Sequence, residues 1–156
     1  MELSAATAER YLRHAFRQLL DVADRLGDER ANLEPHGPST NSVASLIAHC
    51  CGVTEFWLGH IGLGEPTDRD RDGEFVSAAN VVELHAMVDA TLERASALLA
   101  RLEAGEGNDA AGGRGLLLEE DASDASLIVH VLEELYQHLG HAELTADALG
   151  APAAAV

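Results

Sequence analysis

The 156-residue chain is 47% apolar and 24% charged, a balance that fits a folded globular protein and excludes global disorder. Ten basic against 27 acidic residues leave a formal net charge of 10 − 27 = −17, which disfavours nucleic acid and anionic membrane surfaces as partners. No apolar run is long enough to span a bilayer. The opening MELSAATAERYLRH lacks the basic start and apolar stretch of a signal peptide, so a cytoplasmic protein is expected, folded as one domain over residues 1–156.

Apolar residues at a 3–4 spacing (Leu12, Ala15, Phe16, Leu19, Val22, Ala23, Leu26) predict a first helix from about Ala5 to Leu26, with Gly27 where a helix stop belongs. Two prolines and a glycine in GDERANLEPHGPSTNS break the pattern, and Ser39, Thr40, Asn41 and Ser42 offer caps for a second helix. That helix runs to about Ile61, with Val43, Leu46, Ile47, Cys50, Val53, Trp57 and Ile61 on one side. GLGEPTDRDRDGEF then reads as a polar loop. A third helix follows from about Ala79 to Leu102, through Leu84, Val88, Leu92, Ala95, Leu98 and Leu99. EAGEGNDAAGGRG is Gly-rich and acidic, and LLLEED reads as an irregular or short strand-like piece. The fourth helix starts near Ser123 or Asp124 and ends near Leu149, before Gly150 and Pro152. Four amphipathic helices without alternating strand pairs predict an all-α four-helix bundle, a fold that builds metal sites from facing helices.

The two cysteines, Cys50 and Cys51, are adjacent. On a helix they point about 100° apart and do not bridge each other, and their spacing is not that of a zinc finger. They read as two small core residues in a reducing compartment.

The fourth helix carries VHVLEELYQHLGHAEL. With Glu134 as origin, His138 lies at about 40° and Leu127 at about 20°, whereas Glu133 falls near −100°. Glu134 and His138 therefore sit one turn apart inside the apolar arc, and Glu133 faces solvent. An inward carboxylate is costly unless something pairs with it, and a metal cation would; a hydrogen-bonded Glu–His pair without metal is the other reading. On the second helix His49 lies at the edge of the apolar arc, mid-helix, where a core site could reach it. His60 shares that side near the helix end. His130 and His141 fall beside the Glu134–His138 pair, as neighbours of the site or rim residues.

SLIAHCCGVTEFW on the second helix, together with HVLEELYQHLGHAEL on the fourth, resembles the DinB-like superfamily. The closer resemblance is to its branch related to the metal-binding domain of mycothiol-dependent maleylpyruvate isomerase. It implies an up-down-down-up four-helix bundle. It also implies a divalent metal held by a histidine of the second helix and two residues four apart on the last. Many members use His-x-x-x-His for that pair and the isomerase branch uses Glu-x-x-x-His, so the implied metal ligands are His49, Glu134 and His138. The isomerase carries a further C-terminal domain that these 156 residues do not include, and maleylpyruvate isomerisation is not expected.

Three protein ligands would leave a coordination position open, as in catalytic rather than structural zinc sites. Two imidazoles and a carboxylate suit Zn²⁺ first, and also Ni²⁺ or Fe²⁺. The resemblance implies a small cofactor thiol, mycothiol, as co-substrate. The expected function is a metal-dependent S-transferase that adds this thiol to a small electrophile, with loops 63–76 and 104–122 shaping the pocket. No general acid or base can be assigned; His130, His141 and His60 are candidates. A metal-dependent hydrolase and a non-catalytic, metal-stabilised bundle remain alternatives, and homodimerisation stays open.

Overall fold

A computed structural model describes residues 3–36, 40–107 and 123–152. Four long helices dominate: α1 (Ala5–Ala31), α2 (Val43–Glu55), α4 (Val81–Glu103) and α5 (Asp124–Ala148), with a short α3 (Arg71–Glu74) between α2 and α4. The described residues contain no strand. Each long helix starts on a side-chain cap that satisfies an otherwise orphaned N–H. Ser4, Ser42 and Ser123 accept from the amides of Thr7, Ser45 and Ser126. Asn80 and Glu83 form a reciprocal capping box at the head of α4. Gly27 interrupts α1 with φ 74° and ψ 171°, a left-handed conformation that a side chain resists. The stop expected there is thus real, and a last helical piece follows it to Ala31.

The helix directions follow from which ends touch. Asn32, just past α1, bonds both the N–H and the carbonyl of Ala79, and Ala5 N–H at its start donates to Glu103 at the end of α4. So α1 and α4 are antiparallel. Arg25 donates to Glu143 and to the Pro152 carbonyl, so α1 and α5 are parallel. Thr91 donates to Glu55, while Leu98 and Leu102 pack over Gly59 and Gly62, so α2 and α4 are parallel. Trp57 meets His130 and His49 meets His138, which makes α2 and α5 antiparallel. The topology is up-down-down-up. Because α2 and α4 are parallel, residues 62–80 must travel back along the bundle between them.

The core forms where the four apolar stripes face each other. Phe16 and Leu19 of α1, Leu46 and Ile47 of α2, Leu84 and Leu98 of α4, and Leu127 and Leu135 of α5 are all fully buried. Burying side chains of this size contributes roughly 1.5–3 kcal/mol each. Two features depart from the expected elements. The end of α2 widens into a π-helical turn, Phe56–Ile61, which re-aims Phe56, Trp57 and His60 relative to a straight α-helix. The segment expected as a plain polar loop contains α3, capped by Asp70 on the Gly73 N–H at 3.0 Å. LLLEED and most of the 104–122 loop lie outside the described residues. No described helix is long and apolar enough to cross a membrane.

Candidate metal centre

The 3.6-residue period places Glu134 and His138 on the same side of α5, toward α2. Glu133, one position away, is turned out: its side chain is 60% exposed against 30% for Glu134. From α2, His49 is buried and meets them. Its ring makes an edge contact with that of His138, centroids 4.7 Å apart. One ligand atom from each of His49, Glu134 and His138 lies within 4.8 Å of the others. Zinc holds N and O ligands at about 2.0–2.2 Å, so donors round one ion lie up to about 4 Å apart, and a small side-chain rotation closes the difference. The Glu134 Oε2 to His138 Nε2 separation is 3.5 Å, longer than the usual 2.9–3.0 Å or so of an N–H···O bond. The pair is therefore a loose one, and with His49 it forms a group that could hold a metal ion.

Burial lowers the pKa of His49, and the nearby charges of Arg69 and Arg71 act the same way against the opposing pull of Glu74. Burial, with His49 beside it, also lowers that of His138, which Glu134 partly offsets. Both imidazoles are thereby kept neutral, the form that binds a metal.

Three residues of the crossover complete the surroundings of His49; they lie in the 63–76 loop expected to shape the pocket, but no pattern singled them out. Glu74 Oε2 lies 2.8 Å from His49 Nδ1. Arg69 forks onto both oxygens of Glu74, at 2.6 and 2.8 Å. Phe75 stacks on the His49 ring at 4.4 Å. Charged residues in an aperiodic loop look solvated in sequence, yet this stretch crosses the bundle directly over α2.

The other histidines separate. His130 presses edge-on against Trp57 at 4.3 Å, and its Nε2 lies 3.9 Å from Glu134 Oε1. His141 stacks loosely on His138, at 6.4 Å. His60 belongs elsewhere: its Nδ1 bonds the Glu65 carbonyl at 2.6 Å, and it lines a different hollow, with Glu55 and Arg94. Cys50 and Cys51 are buried, and desolvation pushes the Cys50 thiol up and that of Cys51 up to about 12. Neither is a thiolate near neutral pH.

A cleft of about 670 Å³ opens on the centre, within the size range of small-molecule sites. His49, Glu134 and His130 line it together with Val53, Phe56 and Trp57 on the apolar side and Thr67, Asp68, Arg69 and Arg71 on the polar rim. Of the two loops expected to shape the pocket, Thr67, Asp68, Arg69 and Arg71 of the first do so.

Residues 7–149 match a family model described as mycothiol-S-transferase. The chain is also 37% identical over 70 residues to a peptidyl-tRNA hydrolase of Thiobacillus denitrificans, a stretch covering 45% of this chain and 34% of that protein. The match thus spans about a third of the relative's length, and its activity is not carried over. No solved structure matches.

Proposed function

Because this chain belongs to the mycothiol-S-transferase family, we propose that it is a metal-dependent thiol S-transferase, joining a small cofactor thiol of the mycothiol type to a small electrophile. The observation that carries the metal part is the convergence of ligand atoms of His49, Glu134 and His138, two of which, His49 and Glu134, line the cleft. These three would hold a divalent ion; the donor set suits Zn²⁺, with Ni²⁺ and Fe²⁺ compatible. Bound there, such an ion supplies Lewis-acid activation, favouring the thiolate form of a thiol near neutral pH.

The chain's own residues supply the rest. Phe56, Trp57 and Val53 give the cleft an apolar wall that excludes water from one side of a bound electrophile. Thr67, Asp68 and Arg71 give it a polar rim for the hydroxyl and amide groups of a sugar-bearing thiol. His130, held between Trp57 and Glu134, presents Nε2 where it can take the proton that the thiol gives up. The sulfur would then bond to the electrophilic carbon as the bond from that carbon to its leaving group breaks, the leaving group departing with the electron pair. Cys50 and Cys51 take no part, being buried and protonated.

The test follows conjugate formation from mycothiol and a generic electrophile. Transfer should disappear on chelation, return with added metal, and fall by at least about a hundredfold in His138→Ala. Transfer that persists without metal would refute the reading. Turnover of the electrophile without any thiol would instead identify water as the nucleophile.

A further inference from the structure

We infer that Glu74, seated on the bare backbone of Gly52, is a positioning residue that sets the tautomer and aim of His49 for metal binding. The inference rests on the metal reading of His49, Glu134 and His138.

Gly52 lies inside α2, where glycine is unfavourable relative to alanine. Its φ is not one that demands glycine, since it is not among the positive-φ glycines. Space explains it. A Cβ at Gly52 would fall 1.9 Å from Glu74 Oε1 and 2.6 Å from Glu74 Cδ. The missing side chain is the seat of the carboxylate. Gly52 also follows His49 by three residues and shares its side of the helix. A carboxylate resting there reaches His49 Nδ1, at 2.8 Å.

The carboxylate only accepts hydrogen bonds, so at this contact His49 Nδ1–H is the donor. That leaves Nε2 with its lone pair, as the nitrogen able to ligate. A carboxylate behind a ligating imidazole fixes ring orientation and raises ligand basicity. Arg69, forked onto Glu74, and Phe75, stacked on the imidazole, keep both groups in place. Glu74, Arg69 and Phe75 all come from the crossover, so that segment is coupled to the metal affinity of a helix-borne ligand.

Because the atom met at Gly52 is the far end of a flexible side chain, Gly52→Ala should fold normally and simply displace Glu74. Gly140→Ala is the control: it is also helical, and a Cβ there meets nothing. Zn²⁺ affinity is measured by competition with a chromophoric chelator, with helicity checked by circular dichroism. His49 tautomer is read in metal-free protein by nitrogen-15 NMR. Gly52→Ala and Glu74→Ala should each weaken Zn²⁺ binding about ten- to a hundredfold, the range for such supporting groups, and lose the Nδ1–H tautomer. The double variant should be no worse than the weaker single, because both remove one carboxylate. Gly140→Ala should bind as the wild type does. Wild-type affinity in Gly52→Ala and Glu74→Ala, additive losses in the double variant, or an unchanged tautomer would overturn the inference while leaving the metal reading intact. A wild type that binds no Zn²⁺ would overturn both.

Discussion

At the scale of residues, identity matters less than environment. Glu133 and Glu134 are chemically the same, and one turns to water while the other faces His138 and His130. Helical period alone made that distinction legible in the sequence. The cysteines illustrate the reverse. Beside His49 they resemble nucleophiles, but burial holds both thiols protonated. In the native protein they should resist alkylation near neutral pH, and a Cys50→Ser, Cys51→Ser double variant should keep most of its transferase activity. Rapid labelling with iodoacetamide, or loss of activity in a variant that still folds, would count against this.

At the scale of elements, the long helices were legible because each pairs an apolar stripe with a polar face and a cap. Every apolar position named for the first helix, from Leu12 to Leu26, is buried. What escaped was structure without a period. The π-helical turn at Phe56–Ile61 shifts register inside an otherwise helical pattern, and no spacing signals it. The crossover reads as a solvated run of Asp and Arg, yet it brings Glu74, Arg69 and Phe75 to His49. Its far end is fixed by the Asn80–Glu83 capping box. Asn80→Ala should lower stability by about 1 kcal/mol, as loss of an N-cap does. Denaturant unfolding checks this, and an unchanged midpoint would show that the cap is replaceable.

At the scale of the molecule, the up-down-down-up order sets α2 antiparallel to α5, so residues 85 positions or more apart (His49 with Glu134 and His138) meet mid-bundle. The sequence, helped by a resemblance, suggested that grouping and a pocket wall from the crossover; it did not suggest the walls that come from α2, its π-helical end and α5. Gathering two imidazoles in a buried place has a cost in metal-free protein. Both have pKa values lowered below 6.5 in the folded state, chiefly by burial. As pH falls through the unfolded value near 6.5, the unfolded chain takes up protons that the folded one does not, so stability drops. From about pH 8 to about pH 5.5, metal-free wild type should therefore lose thermal stability relative to His138→Ala, which lacks one of these groups. A constant difference would mean that His138 titrates normally. The central claim, that His49, Glu134 and His138 share one ion, is tested most directly by elemental analysis of purified protein and its single alanine variants. About one divalent ion per chain should accompany the wild type and Glu133→Ala, and be lost from His49→Ala, Glu134→Ala and His138→Ala. Equal loss from Glu133→Ala and Glu134→Ala, or retention of the ion in all three ligand variants, would contradict it.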